Sequence, residues 1–175
     1  MDEWCGLPRD ADGAMGNFLQ KHFLLEAGFR DVFLFDGMAD PGAECDRAEA
    51  FLAARGGIDV LVFGIGVNGH VALNEPGTDP ALRTHISRIA PVTAAVARKY
   101  FEADMPPLTT GVTIGIANAA EAGRVFIVAN TPEKREAVER IERLAAAGTP
   151  QREVPASFVA ALPQAELLVT ESVFA

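Results

Sequence analysis

Residues 61–77 read LVFGIGVNGHVALNEPG and give the strongest structural signal in the chain. The apolar residues that lead into this segment predict a strand over residues 58–64, buried on both faces of a sheet. The glycines that follow, Gly64, Gly66 and Gly69, predict a sharp turn where that strand ends. Open α/β sheets bind their ligands at the carboxyl ends of parallel strands, so this turn is the first candidate for a functional site.

Apolar runs alternate with amphipathic segments on both sides of the turn, which indicates an α/β fold. We predict a doubly wound, mostly parallel sheet with helices on both faces, in one domain over residues 1–175. The other predicted strands cover residues 31–36, 111–116, 124–129 and 166–170. Predicted helices include a first one with Met15, Phe18, Leu19 and Phe23 on one face, and others from Asp40-Pro41 to Gly56-Gly57, over residues 93–101, from Thr131-Pro132 to Gly148, and over residues 157–162.

The composition narrows the classes of partner. A formal net charge of −9 disfavours nucleic acid and anionic lipid, and an anionic small substrate would need a local cationic pocket. No apolar run reaches the ~18–20 residues of a membrane span, and the opening MDEWCGLPRD lacks the features of a signal peptide. Two cysteines, Cys5 and Cys45, are too few for a disulfide framework, so we expect reduced thiols in a cytoplasmic protein.

The glycine-rich turn also carries residues suited to chemistry. A carboxylate five residues from a histidine, as in Glu75 and His70, can orient the imidazole and stabilise its charged form. The spacing of the glycines also fits a dinucleotide-binding turn. Pro76 comes too soon for a long helix to follow, and no second strand ends in an acid where the ribose would be held. A tight turn without any ligand is the remaining interpretation.

Two segments together, MDEWCGLPRD and GIGVNGHVALNEPG, resemble the paired signature of glucosamine-6-phosphate deaminases and related amino-sugar-phosphate isomerases. The resemblance continues through AECDRAEAFL, ARKYF, PLTTGVTIGIA and VPASF, and therefore covers nearly the whole chain. The 6-phosphogluconolactonases share the Rossmann-like fold and the turn, but Asn74-Glu75-Pro76 favours the deaminase branch. In the family a phosphate-cradling loop precedes the first signature, so the resemblance implies that the N-terminal strand–helix units are lacking here.

The resemblance implies an enzyme of amino sugar metabolism, both isomerase and hydrolase, that needs no metal or organic cofactor. Its substrate would be glucosamine 6-phosphate or galactosamine 6-phosphate, and its products the ketose 6-phosphate and ammonia. Asp2 matches the carboxylate that moves a proton between C1 and C2. His70 matches the acid/base that opens the sugar ring, and Glu75 matches its paired carboxylate. Asn68 stands where some members carry an aspartate, and an amide can hold the imidazole without supplying charge.

Two cations are candidates for the substrate phosphate. Lys134 lies in the first turn of a predicted helix, where free N–H groups favour anions, and it matches a phosphate-binding lysine of the family. Arg98 matches the family's phosphate arginine, with Lys99 as the alternative if the alignment slips by one position. The turn glycines Gly66 and Gly69 are assigned to substrate binding.

Without the N-terminal strand that would present it, Asp2 is expected to be disordered or displaced. The same loss is expected to expose a sheet edge through which the chain associates, and a homo-oligomer is an open interpretation because relatives are often oligomeric. A 6-phosphogluconolactonase-like hydrolase would release no ammonia. A dinucleotide-binding module would be stabilised by NAD, and a catalytically impaired fragment of this fold would only bind.

Overall fold

The computed structural model of the chain describes residues 1–101 and 105–175. The strands are β1 (Asp2–Trp4), β2 (Val60–Gly64), β3 (His85–Arg88), β4 (Thr110–Thr113), β5 (Arg124–Ala129) and β6 (Ala165–Val169). The α-helices are α1 (Met15–Leu19), α2 (Leu25–Ala27), α3 (Pro41–Ala53), α4 (Pro91–Ala97), α5 (Ile116–Glu121), α6 (Arg135–Ala146) and α7 (Ala156–Ala160). A π-helical turn (Gln20–Leu24) joins α1 to α2, and 3-10 turns cover Arg98–Tyr100, Pro132–Lys134 and Glu171–Val173.

Three strands form a parallel sheet in the order β2-β5-β6. Its central strand β5 keeps the predicted bounds, and its alternate residues Val125, Ile127 and Ala129 are fully buried. Burial of an aliphatic side chain such as Val125 or Ile127 stabilises the folded state by about 1.5–3 kcal/mol. They share a core with Val138 and Ile141 of α6. The predicted α/β class with a parallel sheet and helices is therefore confirmed.

The other three strands form an antiparallel sheet in the order β1-β4-β3. β1 and β3 are not predicted from the sequence, because they are short and carry polar residues. The strand predicted over residues 111–116 ends earlier, at Thr113, because Ile116 already begins α5. This sheet places Asp2 opposite Thr113, next to the loop that follows β2.

The strand predicted over residues 31–36 is wrong, because this segment has no ladder partner in the described part of the chain. Its apolar side chains still pack, with Phe35 buried and Phe33 in T-shaped contact with it. β-propensity alone does not make a strand, since the backbone groups need a neighbour to bond. The predicted buried face of the first helix also differs, because Phe18 and Phe23 are more than half exposed.

The helix after Asp40 begins with proline as predicted, whereas the starts of the helices predicted from residues 93 and 131 shift. The helix after Asp40 does start at Pro41, and the Asp40 side chain accepts a hydrogen bond from the Ala43 N–H. The helix predicted over residues 93–101 starts two residues earlier and finishes as a 3-10 turn. Among the described residues, none of the helices has the length and apolar character to cross a membrane.

Candidate active site

The loop after β2 folds back on itself through its own backbone. The Gly66 N–H donates to the His70 carbonyl (2.9 Å), and the Gly69 N–H donates to the Gly66 carbonyl (2.9 Å). Gly69 has a φ of +83°, which a side chain disfavours, and a Cβ there would also lie 2.8 Å from Val154. A Cβ on Gly66 would lie 2.1 Å from the imidazole of His70. The glycines therefore let the histidine ring fold directly over the turn.

Asn74 fixes this loop to the antiparallel sheet. Its side chain is fully buried, and its Nδ2 donates to the carbonyls of Val71 and Ile114, each at 3.0 Å. The Leu73 N–H donates to the Thr113 hydroxyl from the same side. Because Thr113 pairs with Asp2 across the sheet, these contacts hold the loop at a set distance from β1.

His70, Asn68 and Glu75 form a hydrogen-bonded chain. His70 Nδ1 lies 2.7 Å from Asn68 Oδ1, and Asn68 Nδ2 donates to Glu75 Oε2 at 2.9 Å. The other oxygen of Glu75 accepts the Ala90 N–H at 3.2 Å. The direct distance from His70 Nδ1 to Glu75 Oε2 is 3.6 Å. The predicted pair of imidazole and carboxylate is thus present, with the Asn68 amide between the two groups.

This chain sets the tautomer of the imidazole. Asn68 uses its NH2 group to donate to Glu75, so its carbonyl oxygen must accept, and His70 Nδ1 carries the proton. Within residues 1–101 and 105–175, His70 Nε2 has no hydrogen-bond partner. Burial lowers the pKa of His70, and nearby Lys134 lowers it further, while Glu75 opposes both. At neutral pH the ring is therefore neutral, with Nε2 ready to accept a proton.

A cavity of about 520 Å³ lies against the imidazole. It brings together His70, the acids Asp2 and Glu133, and the lysines Lys99 and Lys134 from distant parts of the chain. Asp2 is not disordered or displaced, since β1 holds it in the antiparallel sheet. Burial raises the pKa of the Asp2 carboxyl. A partly buried acid and a neutral imidazole on one cavity are suited to proton transfer.

On the cationic side of the cavity, the neighbouring side chains of Lys99 and Arg98 have different environments. Lys99 lines the cavity, whereas Arg98 turns away and its Nη1 donates to the Phe101 carbonyl at 2.8 Å. Lys134 lines the cavity as predicted, beside Thr131. Burial lowers the pKa of Lys134, and the neighbouring charge of Lys99 lowers it further. The Glu133 carboxylate on the same side opposes this lowering. Two ammonium groups against this one carboxylate still leave that side net positive, which favours an anion there.

The predicted site residues divide into those on the cavity wall and those behind it. Gly66, His70, Asp2 and Lys134 lie on the wall. Asn68 and Glu75 lie behind the imidazole, and Gly69 shapes the turn. The dinucleotide interpretation fails, because no helix begins at the turn and the next one is α4. The imidazole also fills the space above Gly66 that a pyrophosphate would approach.

Sequence reasoning missed Thr93, which lies beside the imidazole, and Glu3, which supports β1 from outside the cavity. Thr93 of α4 lines the cavity, and its hydroxyl lies 3.3 Å from His70 Nδ1. Glu3 is buried, and its carboxylate accepts the N–H groups of Met15 and Gly16 at 3.0 and 2.8 Å, which joins α1 to β1. The acidic pair Asp2-Glu3 was a signal for Glu3, but nothing in the sequence marked Thr93.

Comparison with known proteins agrees with this geometry, although no family model matches the chain. The glucosamine-6-phosphate deaminase of Exiguobacterium sibiricum is 36% identical over 141 residues, which cover 79% of this chain and 55% of that protein. A solved monomeric glucosamine-6-phosphate deaminase superposes with a TM-score of 0.90 at 26% identity, covering 99% of this chain and 72% of its own. The 6-phosphogluconolactonase of Trypanosoma brucei has the same fold, with a TM-score of 0.67 at 22% identity, 98% of this chain covered and 70% of its own.

The chain spans about half the length of the curated relatives it matches. Within that span, the similarity in sequence to curated deaminases and the similarity in fold to a solved one agree with each other. The chain is a homologue of curated glucosamine-6-phosphate deaminases, at 36% and 34% identity to two of them, and it has the fold of a solved one.

Proposed function

We propose that this chain converts an amino-sugar 6-phosphate, glucosamine 6-phosphate or its galactosamine epimer, to the ketose 6-phosphate and ammonia by acid/base catalysis. One observation carries the proposal: a single cavity presents the imidazole of His70, the carboxylates of Asp2 and Glu133, and the ammonium groups of Lys99 and Lys134. The relatives that bear this activity in their names support it. We also place the chain in the cytoplasm, because Cys5 and Cys45 are both free thiols, as is usual in a reducing compartment.

Ring opening is the first step. Neutral His70 accepts the proton of the C1 hydroxyl at Nε2 while the C1–O5 bond breaks, and it returns that proton to O5. No net proton is gained or lost, which suits a group that is neutral at rest. The positive charge that forms on the imidazole during this step is stabilised by the Glu75 carboxylate. Glu75 acts through the Asn68 amide and also directly, since its Oε2 lies 3.6 Å from His70 Nδ1. General acid/base help of this kind contributes about 10²–10⁴-fold.

Asp2 carries the second step. The open aldehyde makes the C2 proton acidic, and the Asp2 carboxylate removes it and delivers a proton to C1, while one proton of the C2 amine passes to O1. The resulting 2-imine adds water and releases ammonia, which leaves the ketose. Because burial raises the pKa of Asp2, its carboxylate is a stronger base than an exposed aspartate.

The two lysines bind the phosphate on the cationic side of the cavity. Lys99 takes the role that the sequence analysis gave first to Arg98, because it is Lys99 that lines the cavity. An ammonium–phosphate contact is charge-assisted and contributes about 1.5–3 kcal/mol. This end of the site therefore favours phosphorylated sugars over free sugars.

Ammonia release tests the proposal. The 175-residue chain is incubated with glucosamine 6-phosphate or galactosamine 6-phosphate, and ammonia is measured with and without the substitution His70→Gln. We expect release that depends on His70 from one of the two sugars. Hydrolysis of 6-phosphogluconolactone without ammonia release from either sugar would contradict the proposal and favour the lactonase alternative.

A further inference from the structure

Thr93 places a buried hydroxyl on the wall of the substrate cavity. It is the third residue of α4, and it is only 7% exposed. Its Oγ1 lies 3.3 Å from His70 Nδ1, and both residues line the cavity. The hydroxyl therefore lies beside the imidazole and borders the space that the substrate fills.

The proton of this hydroxyl has no acceptor in the described parts of the chain. The one hydrogen-bond partner of Thr93 Oγ1 there is His70 Nδ1, which carries a proton of its own and donates it to Asn68 Oδ1 at 2.7 Å. A threonine in a helix often donates to the carbonyl three or four residues earlier, but Thr93 makes no such bond within residues 1–101 and 105–175. A buried donor without an acceptor costs free energy, so this hydroxyl is suited to a ligand that accepts its proton.

The proposed reaction needs a donor at this place. When the Asp2 carboxylate removes the C2 proton, negative charge develops on O1 of the open sugar. After ring opening His70 Nε2 is again unprotonated, so the imidazole offers O1 a lone pair and no proton. The two lysines bind the phosphate. None of the residues assigned so far therefore stabilises the charge on O1.

The other donor side chains on the wall have other neighbours. Trp4 Nε1 already donates to a carbonyl of the chain at 3.1 Å. Tyr100 lies beside Lys99, whose ammonium is 5.1 Å from the centroid of the tyrosine ring. Thr131 precedes the 3-10 turn that carries the second lysine. On the described wall, Thr93 is the donor side chain that contacts the imidazole.

We propose that the Thr93 hydroxyl donates a hydrogen bond to O1 of the open-chain sugar and stabilises the negative charge that forms there. The inference rests on the proposed function. In the step, the C2–H bond breaks and its proton goes to the Asp2 carboxylate. The electron pair of that bond forms the C1–C2 double bond, and the carbonyl pair moves to O1. Thr93 keeps its own proton, and the C2 amine then supplies the proton of the O1 hydroxyl.

Two substitutions separate the hydroxyl of Thr93 from its shape. Thr93→Val keeps the shape and removes the donor, and loss of one donor to a developing oxyanion costs about 10²–10³-fold in kcat. Because the C2 amine also serves O1, we expect kcat for ammonia release to fall by at least about tenfold, with KM within about threefold. Thr93→Ser keeps the hydroxyl, and its kcat should stay within about threefold of the wild type.

A role for Thr93 in packing alone predicts different results. In Thr93→Val the Asn68 carbonyl, at 2.7 Å, remains as the acceptor of the His70 Nδ1–H. The ¹⁵N chemical shifts of the imidazole should therefore still show a proton on Nδ1 in the free protein. A change of tautomer in Thr93→Val, or a serine variant that does not retain kcat, would show that Thr93 acts by holding the imidazole and would overturn the proposal.

Isothermal titration tests the inference apart from turnover. The first probe is a 5-phosphoaldonohydroxamate, whose planar N–O group stands in for C1 and the charged O1. The second is 2-amino-2-deoxyglucitol 6-phosphate, which carries a neutral hydroxyl at C1. We expect Thr93→Val to weaken the hydroxamate by at least about fivefold and to change Kd for the sugar alcohol by less than about twofold.

The outcomes distinguish this inference from the proposed function. Equal loss for both probes, no loss for either, or no binding of the hydroxamate to the wild type would overturn the role of Thr93. Selective loss of the hydroxamate in a chain that releases no ammonia from either sugar would support the donor role and contradict the deaminase proposal alone.

Discussion

Replacing Lys99 with alanine should weaken the binding of glucosamine 6-phosphate, whereas replacing its neighbour Arg98 should not. Lys99 lines the cavity together with Lys134, and burial and then the charge of Lys99 already depress the pKa of Lys134. A phosphate dianion relieves that repulsion and gains a charge-assisted contact from each lysine. Loss of one such contact costs about 1.5–3 kcal/mol, which is about 10–150-fold in Kd.

Isothermal titration with glucosamine 6-phosphate measures this difference directly. Arg98→Ala is the matched control, because it removes a positive charge one residue away whose guanidinium caps the Phe101 carbonyl. It should lower the melting temperature and leave Kd within about twofold. The reasoning is refuted if Arg98→Ala weakens binding as much as Lys99→Ala does, or if Lys99→Ala leaves Kd unchanged.

Three further predictions concern His70, its neighbour Glu75, and Glu49, which forms an ion pair with Arg83 away from the cavity. The pKa of His70 is lowered in the folded chain, so at pH below the ordinary histidine pKa of 6.5 the unfolded chain binds more protons than the folded chain does. The free energy of unfolding, measured by urea titration, should therefore fall as the pH drops below that value, and His70→Gln should make this dependence on pH weaker. Glu75→Gln should destabilise the fold by about 1–3 kcal/mol, because both Glu75 oxygens accept from donors and an amide can satisfy only one; a loss smaller than about 0.5 kcal/mol in chemical denaturation would contradict the assigned network. Glu49→Ala should lower the free energy of unfolding by about 2 kcal/mol, since Glu49 accepts hydrogen bonds from Arg83, Thr84 and Asn118, which lower its pKa to about 2. Acid denaturation of the wild type and the variant should show that this difference in stability is present above the ordinary pKa of 4.5 and is lost towards pH 2.

The parallel sheet was predictable because its signal is local. β5 and the end of β2 are nearly continuous apolar runs, and strands buried on both faces have that pattern. The strand predicted over residues 31–36 has the same composition, but a ladder depends on a neighbouring backbone that composition does not report. Conversely, β3 is polar at His85, Ser87 and Arg88, and it forms because β4 lies beside it. Pairing between distant segments therefore accounts for both errors.

In the candidate site, too, contacts between residues close in the sequence were predictable, and contacts between distant segments were not. Residues near one another in the chain, such as His70 and Glu75, were paired correctly from their spacing on one loop. The sequence could not decide between Arg98 and Lys99, because neighbouring residues of a helical turn point about 100° or more apart and either could face the cavity. Nor could it place Thr93 beside the imidazole, since that contact depends on how α4 packs against the loop.

A crystal structure of the chain with glucosamine 6-phosphate bound is the most direct test of the whole account. We expect the phosphate between the ammonium groups of Lys99 and Lys134, with C1 of the sugar within hydrogen-bonding reach of His70 Nε2 and C2 beside the Asp2 carboxylate. A sugar bound outside this cavity, or with its phosphate away from both lysines, would contradict the account.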